Sequence, residues 1–285
     1  MSTSSPTPIW FITGSSSGLG LALTLHALRA GHRVIATSRN PSKTPDLVTQ
    51  VEALGGVFLA LDVTSPELDD LISKVVEVYG TMPDVVVNCA GEQEARAQFE
   101  TNFFGPLKIC QRVIPAMRER RSGVIVNISS AAGVMSKPSR SMYGSSKFAL
   151  AGLTETLYHE LQPFSVRVLL IEPGAFVTPF ASSIQYPAKP TPEDYKDSIT
   201  DVVTNDTKKF ADSAPGDTEK GAGVIFEAVM REGAFKGLVD ANGKEWLRVP
   251  LGSDALGRWR NKLADLEGNL GAMEEVGRST DRERV

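Results

Sequence analysis

Cysteine is scarce in this chain: only Cys89 and Cys110 occur among its 285 residues. Two cysteines cannot build the network of disulfides that holds small secreted domains together, and they are too few for a cysteine-based metal cluster. Both lie among apolar neighbours, where a small buried hydrophobic side chain is the usual interpretation. We therefore expect no metal site and a reducing, cytoplasmic environment.

An excess of basic residues and a long apolar run are also absent. The 30 Lys and Arg residues are outnumbered by 34 Asp and Glu residues, which gives a net charge of −4, whereas nucleic-acid binding normally needs a basic surface. No apolar run approaches the ~20 residues that span a bilayer. The opening MSTSSPTP lacks the features of a signal peptide, and the final DRERV is not a lipidation or peroxisomal signal. We expect no nucleic-acid partner and no membrane span.

What the sequence does contain is an alternation of short apolar segments and helical patterns. The predicted strands cover 8–13, 33–38, 57–62, 84–91, 123–129 and 166–174. The predicted helices cover 21–30, 66–79, 93–120 and 142–162. Strands without polar alternation are typical of parallel sheets that helices cover on both faces. The pattern therefore predicts an α/β fold, with a Rossmann-type doubly wound and mostly parallel sheet.

After Gly174 the alternation weakens, but no second core is indicated. We expect one domain over 1–285, with a core unit at 8–180 and a substrate lid and C-terminal extension at 181–285. The residues leading into and forming the lid, 175–215, contain several aromatic side chains among polar ones, which favours a bulky apolar substrate. These aromatic residues are Phe176, Phe180, Tyr186, Tyr195 and Phe210.

Two further elements are predicted near the C-terminus. Residues 236–242 have the composition of a last short strand, and residues 254–275 have helical spacing. Leu263, Leu266, Leu270 and Met273 fall on one stripe of that helix, which is otherwise polar. We expect it to be exposed.

A glycine-rich turn, TGSSSGLG, lies between the first predicted strand and the first predicted helix. Gly14 allows a tight turn, Gly18 lets backbone N–H groups approach an anion, and Gly20 lets the helix pack on the sheet. A pyrophosphate would then lie at the positive end of the helix. In this context the turn predicts a dinucleotide site rather than a structural loop. The residues expected to contact the cofactor here are Gly14, Ser15, Ser16, Ser17, Gly18, Leu19 and Gly20.

The end of the second predicted strand indicates which dinucleotide binds. An acidic residue there would accept the ribose 2′-hydroxyl of NAD, but the sequence has Ser38 and Arg39 instead. A serine and a guanidinium can hydrogen-bond and neutralise a 2′-phosphate, which a carboxylate would repel. We therefore predict NADP (NADPH) as cofactor over NAD. The alternative is that Arg39 is only a solvated loop residue.

Several motifs occur together in an order that resembles the short-chain dehydrogenase/reductase family, of the NADP-preferring type with a Tyr-x-x-x-Lys pair. The resemblance runs from about residue 8 to about residue 180. The motifs that carry it are the glycine-rich turn, DVT at 62–64, NCAG at 88–91, Asn102 in ETNFFG, NISS at 127–130, Tyr143 with Lys147, and EPGAFVT at 172–178.

The resemblance implies an oxidoreductase that forms homodimers or homotetramers and uses a nicotinamide cofactor on a small carbonyl or alcohol substrate. It implies catalytic roles for Asn102, Ser130, Tyr143 and Lys147; Ser130 is chosen over Ser129 because the family's serine stands thirteen positions before its tyrosine. The further cofactor contacts that it implies are Asp62, Val63, Asn88, Ala90, Gly91, Tyr143, Lys147, Pro173, Gly174 and Thr178.

Physical chemistry supports Tyr143 as the acid–base group. A free tyrosine has a pKa of about 10, and a cation ~4 Å away at an effective dielectric constant of ~20 would lower it by about 3 units. Lys147 follows four positions later, so both side chains project from one helix face. Ser130 can donate a hydrogen bond to the substrate oxygen. The alternative is a solvated tyrosine–lysine pair without catalytic meaning.

The reaction itself stays open at this point. The leading hypothesis is hydride transfer between nicotinamide and a ketone or secondary alcohol, with Tyr143 giving or taking the proton. The same cofactor site could serve an epimerase, a dehydratase or an imine reductase. A third hypothesis is a non-catalytic NADP-sensing protein.

The segment EQEARAQF, between NCAG and ETNFFG, is shorter than the family's usual loop. Either the cleft is more open on this side, or Asn102 is displaced from the site. Pro106 has no N–H, so a carbonyl near Asn102 lacks its helical partner and a kink is expected there. In the family, a water at this kink connects the region to the lysine.

Overall fold

The computed structural model describes residues 7–65, 67–90, 95–178, 192–208, 214–241 and 243–282. The strands are β1 Ile9–Thr13, β2 Arg33–Ser38, β3 Val57–Ala60, β4 Val85–Asn88, β5 Gly123–Ile128, β6 Val166–Pro173 and β7 Arg248–Leu251. The helices are α1 Gly18–Arg29, α2 Pro45–Ala53, α3 Leu68–Tyr79, α4 Ala95–Phe99, α5 Gly105–Arg120, α6 Ser141–Leu161, α7 Ile199–Lys208, α8 Thr218–Met230 and α9 Ser253–Arg278.

The strands form one parallel sheet in the order β3-β2-β1-β4-β5-β6-β7. All five residues of β1 are buried, and successive side chains of a strand point to opposite faces. Trp10 and Ile12 therefore pack against α1 and α8 on one face. Ile9 and Phe11 pack against α3, α5 and α6 on the other. The predicted Rossmann-type doubly wound fold is confirmed.

The strand order reverses between β1 and β4, because the chain first builds outwards through β2 and β3 and then crosses back. In open parallel sheets, ligands bind in the crevice at the carboxyl ends of the strands at such a reversal. The turn after β1 and the turn after β4 meet there: the backbone of Gly14 lies against that of Ala90. The fold thus places the glycine-rich turn at the crevice.

The long helix predicted over 93–120 is divided in two. It begins as α4 within the described residues, passes through a π-helical turn at Glu100–Phe104 and continues as α5. Pro106 lacks the N–H of a regular turn, and π-helical turns often lie at functional sites. Gly105 allows this segment to pack closely on Val63. A β-carbon at position 105 would come within 2.9 Å of the Val63 side chain. The expected irregularity therefore lies at Asn102.

The last strand is not where the sequence predicted it. The described residues of 236–242 contain Gly237 at φ +72° and make only one isolated bridge, from Val239 to Glu245. The strand is instead Arg248–Leu251, which pairs with β6. Pro250 lies within β7, and because β7 is an edge strand, its missing N–H is tolerated.

Two smaller boundaries also differ. The third strand ends at Ala60 rather than at residue 62, because the Asp62 carboxylate accepts hydrogen bonds from the backbone N–H and the hydroxyl of Thr64 and forms a turn. The following helix begins at Leu68 rather than at 66. The Ser65 hydroxyl accepts the N–H of Glu67 just before it, and Pro66 lies outside the described residues.

The C-terminal helix α9 is anchored through its first turns. Glu172 is fully buried and accepts hydrogen bonds from Arg248 at 2.7 Å and from the Trp259 indole at 3.1 Å. The Asp254 carboxylate accepts the N–H of Ala175 at 2.9 Å. The Asp254 bond connects α9 to the loop after β6, which lies beside the crevice, and the Trp259 bond connects α9 to β6 itself.

None of the helices in the described part of the chain is both long and apolar enough to cross a bilayer.

Candidate active site

A cavity of about 410 Å³ lies at the carboxyl edge of the sheet, over β1, β4, β5 and β6. Most of the residues predicted from the sequence line it. These are Gly14, Ser16, Ser17, Gly18, Leu19, Gly20, Ser38, Arg39, Asp62, Val63, Ala90, Asn102, Ser130, Tyr143, Lys147, Pro173, Gly174 and Thr178. Gly91 lies outside the described residues. The fold therefore brings the glycine-rich turn and the tyrosine–lysine pair to one cavity.

The glycine-rich turn has the backbone that an anion site needs. Gly14 has φ +72° and a β-carbon there would come within 2.8 Å of the Ala90 nitrogen, so only glycine fits. Helix α1 begins at Gly18, and the Ser17 side chain makes no capping hydrogen bond to it. The N–H groups of the first turn and the positive end of the helix therefore face the cavity without a side-chain acceptor.

Ser15 differs from its neighbours in the turn. It is fully buried and does not line the cavity. Its hydroxyl donates to the carbonyl of Ile12 and accepts from the hydroxyl of Thr24, and its N–H donates to the carbonyl of Thr37. The structure places it as a support that fixes the turn to β1, β2 and α1.

The end of β2 supplies the second part of the dinucleotide cleft. Ser38 is buried, and its hydroxyl has no hydrogen-bond partner among the described residues. A buried polar group without a partner is rare in proteins unless a ligand satisfies it. Arg39 follows on the exposed rim. The donor set of turn, serine and guanidinium fits a dinucleotide with an anionic group on the adenosine ribose.

The other predicted cofactor contacts divide into two groups. Asp62 and Val63 line the cavity beside Ser38, and Thr178 lies against Gly18. Asn88 does not line it: the side chain is buried and its amide donates to the Asn127 side chain at 2.7 Å. The Asn88 amide thus links β4 to β5, and its carbonyl oxygen is buried without a hydrogen-bond partner among the described residues.

The tyrosine and the serine of the predicted catalytic set meet in the cavity. Tyr143 stands in the first turn of α6, and its phenol is hydrogen-bonded to the Ser130 hydroxyl. Ser130 in turn accepts the N–H of Ala132 at 3.1 Å, which begins a short 3₁₀ turn. The serine hydroxyl is thereby held in place beside the phenol.

Lys147 lies one helical turn beyond Tyr143 and is buried. Its ammonium nitrogen donates to the carbonyl of Ile128 at 3.0 Å and lies 6.0 Å from the centre of the Tyr143 ring. Burial lowers the pKa of Lys147 to about 8, opposed by the nearby Cys89 thiol. The lysine is therefore held at the end of β5, and it changes from the charged to the neutral form just above neutral pH.

The expected electrostatic effect of Lys147 on the tyrosine needs correction. Burial raises the pKa of Tyr143, opposed by the Ser130 hydrogen bond and by the positive charges of Arg140 and Arg258. Arg140 and Arg258 are the cations that lower this pKa, while the Lys147 ammonium lies 6.0 Å from the ring centre and donates to Ile128. The Tyr143 hydroxyl therefore keeps its proton at neutral pH and can donate it.

Asn102 is not displaced by the short segment before it. It is buried on the π-helical turn, lines the cavity, and donates from its side-chain amide to the Ser146 hydroxyl at 3.0 Å. Ser146 donates to the carbonyl of Tyr143 and directly precedes Lys147. These bonds hold the π-helical turn against the first turns of α6.

Two arginines in the cavity were not predicted from the sequence. Arg140 precedes the first turn of α6, and Arg258 projects from the second turn of α9. Arg258 lies 3.9 Å from Asp254 and its side chain is mostly buried. Arg140 belongs to no motif that we interpreted, and Arg258 lies over a hundred residues further on, so only the docking of α9 reveals that they meet.

No group of three or more His, Cys, Asp or Glu side chains is placed to hold a metal ion in the described part of the chain.

Comparison with known proteins connects this site to a family. The pattern of the short chain dehydrogenase family matches residues 8–188. The oxidoreductase claN of Passalora fulva is 40% identical over 191 residues, which cover 63% of this chain and 87% of that protein. The oxidoreductase calM of Penicillium decumbens is 33% identical over 283 residues, which cover 90% of this chain and 89% of that protein.

A solved structure shows the same fold over nearly the whole chain. A short-chain dehydrogenase from Streptomyces avermitilis has a TM-score of 0.82 and 34% identity, and the match covers 98% of this chain and 100% of that one. The family pattern spans the glycine-rich turn, the π-helical turn and the tyrosine–lysine pair. This chain therefore belongs to the short-chain dehydrogenase family of oxidoreductases.

Proposed function

We propose that the protein is an NADP(H)-dependent reductase that transfers hydride between nicotinamide and a ketone or secondary alcohol. The observation that carries this proposal is the hydrogen-bonded Ser130–Tyr143 pair, which shares one cavity with the glycine-rich turn. When bound, the cofactor supplies the hydride. The chain has to bind it, hold the substrate oxygen and provide the proton.

Binding is assigned to the turn after β1 and the end of β2. The N–H groups that begin α1 hold the pyrophosphate. The Ser38 hydroxyl, which lacks a partner among the described residues, and the Arg39 guanidinium bind the 2′-phosphate of NADP. No carboxylate stands at these two positions to accept a ribose hydroxyl, which favours NADP over NAD.

Proton transfer is assigned to Tyr143. Its raised pKa keeps the phenol protonated, so it can give its proton to the alkoxide that forms when a carbonyl is reduced. Ser130 donates a hydrogen bond to the same oxygen. Lys147 positions the cofactor ribose, and the Asn102–Ser146 bond holds the π-helical turn against the first turns of α6, which carry Tyr143. The protonation state of the tyrosine favours the reductive direction.

The two arginines in the cavity indicate the charge of the substrate. Of the aromatic residues expected to enclose an apolar substrate, Phe176 lines the cavity and Tyr195 is exposed, whereas Phe180, Tyr186 and Phe210 lie outside the described residues. Arg140 and Arg258 place two guanidinium groups beside the phenol, and guanidinium groups recognise carboxylates and phosphates. We therefore assign the site to a carbonyl compound that carries an anionic group.

Replacing Arg258 by Gln will affect anionic substrates more than neutral ones. We expect kcat/KM to fall at least about tenfold for a keto acid and less than about twofold for its methyl ester, because a hydrogen bond to a charged group contributes about 1.5–3 kcal/mol. The assay follows NADPH oxidation at 340 nm over a panel of keto acids, esters and plain ketones.

Arg278→Gln is the matched control, since Arg278 stands exposed at the far end of the same helix. Equal losses for acid and ester would contradict the anionic substrate while leaving the reductase proposal intact. NADPH binding without turnover of any panel member would favour a non-catalytic NADP-sensing protein. Imines are added to the panel, and loss of water from hydroxy acids is followed by mass spectrometry. Turnover confined to imines would favour an imine reductase, and turnover confined to the loss of water would favour a dehydratase.

The pH dependence of kcat/KM will report the ionisation of Lys147 in the free enzyme. Its pKa is lowered to about 8, so the ammonium is charged at pH 7 and becomes neutral as the pH rises above 8. We expect kcat/KM for ketone reduction with subsaturating NADPH to fall through this range. Lys147→Arg, which stays charged, should retain lower activity but lose the fall; a profile of unchanged shape in that variant would contradict the assignment.

A further inference from the structure

The C-terminal helix α9 extends away from the domain for more than half of its length. Its first turns are anchored by Asp254 and Trp259, but every residue from 263 to 282 is exposed. Residues 263–278 alone form about 24 Å of helix. We call this segment, 263–278, the arm.

The arm carries an apolar stripe with the spacing of a coiled coil. Its apolar residues continue the positions of Leu256 and Trp259 in steps of three and four residues, which is the a/d pattern of a heptad. The residues of the stripe are Leu256, Trp259, Leu263, Leu266, Leu270 and Met273. Four of them lie in the arm and are 52–72% exposed. An apolar seam of this length is normally covered by a partner.

The arm also lacks the local stability of a solitary helix. Gly268, Gly271 and Gly277 lie within or at the end of it, and no described atom lies near enough to require glycine at any of them. Glycine weakens a helix interior, and short helices hold their shape mainly through packing. Packing on a partner therefore explains the helical conformation of the arm better than exposure to water does.

We propose that the arm pairs with the arm of a second copy of this chain in antiparallel orientation. The helix is basic at Arg260 and Lys262 and acidic at Asp265, Glu267 and Glu274. Antiparallel pairing brings the basic part of each helix against the acidic part of the other, with Arg260 facing Glu267. It also separates the two domains, each of which is anchored to the first turns of its α9, whereas parallel pairing would bring both domains to the same end of the pair.

The heptad positions fix the register. Pairing Leu263 with Leu266 of the second copy also pairs Leu256 with Met273, so that the apolar positions meet along the full stripe. Arg260 and Glu267 both occupy the e position beside the seam, and e positions face each other in antiparallel pairs. The Arg260 of each copy then lies opposite the Glu267 of the other. The two domains stand at opposite ends of the paired arms.

The test uses the full chain and measures its mass by light scattering after size exclusion at about 50 µM. The wild type should have at least twice the monomer mass of 30.7 kDa. Leu266→Glu combined with Leu270→Glu should halve the observed mass and weaken association at least about 100-fold, because two large apolar side chains lose their burial. Ala264→Glu, on the exposed face beside the stripe, should leave the mass unchanged.

Charge exchange tests the orientation. Arg260→Glu and Glu267→Arg should each weaken association, and the double variant should restore it, since the two residues then exchange places across the antiparallel seam. Failure of the double variant to restore association would overturn this register. A wild type that is monomeric at 50 µM, or stripe variants with the mass of the wild type, would overturn the pairing itself. Unchanged NADPH affinity in all variants shows that the domain remains folded.

Discussion

Tyr143→Phe will lower kcat for ketone reduction by about three orders of magnitude while NADPH affinity changes less than about threefold. General acid catalysis contributes about 10²–10⁴-fold, and phenylalanine removes the proton donor while leaving the ring in place. Ser130 also loses its hydrogen-bond partner. Because the phenol acts on the substrate oxygen, the effect should fall on kcat rather than on cofactor binding.

Single-turnover kinetics and isothermal titration with NADPH measure the two quantities separately. Tyr158→Phe is the matched control, since Tyr158 stands on the same helix with its hydroxyl bonded to the carbonyl of Glu245, outside the cavity. We expect its kcat to stay within about twofold of the wild type. Equal losses of kcat and NADPH affinity in Tyr143→Phe would mean that the tyrosine supports the fold rather than the reaction.

Arg39→Asp will shift the preference for NADPH over NADH, expressed as the ratio of kcat/KM values, by at least about 100-fold. The substitution removes a charge-assisted hydrogen bond to the 2′-phosphate and adds a repelling carboxylate. In NADH the same carboxylate can accept the ribose hydroxyl. A 100-fold change corresponds to about 2.8 kcal/mol, which these two effects supply together.

Steady-state kinetics with both cofactors at several ionic strengths checks this, because Arg39 lies on the exposed rim, where salt screens its charge. Lys43→Asp is the control: Lys43 is an exposed cation four positions further along the chain and does not line the cavity. It should change the ratio only slightly. An unchanged ratio in Arg39→Asp would exclude the guanidinium from cofactor selection.

Much of the fold was predictable because buried parallel strands have a strong local signal. The predicted bounds of β2, RVIATS, agree with the structure, and Gly80 ends α3 in the left-handed conformation that glycine favours. Helix α2 was missed since it begins at Pro45 among polar residues and buries only Val51. The strand β7 was missed because it has only four residues, one of which is a proline. Its pairing with β6 is a tertiary contact that such a short segment does not predict.

The candidate site shows the same division. The turn at Gly14 is predictable because the chain conformation there requires glycine. The roles of Ser15 and Asn88 are not, since side chains within a motif can face the core as well as the ligand. The positions of Arg140 and Arg258 depend on where α9 docks, and the pKa of Tyr143 depends on its burial. Such properties arise only in the assembled fold.

Transfer of deuterium from the cofactor tests the central claim most directly. NADPH carrying deuterium at either face of the nicotinamide C4 would be incubated with a keto acid that the protein turns over, and the product alcohol analysed by mass spectrometry. Our account predicts one deuterium on the carbinol carbon from one labelled face, none from the other, and loss of transfer in Tyr143→Phe. Product formed without deuterium from either face would contradict it.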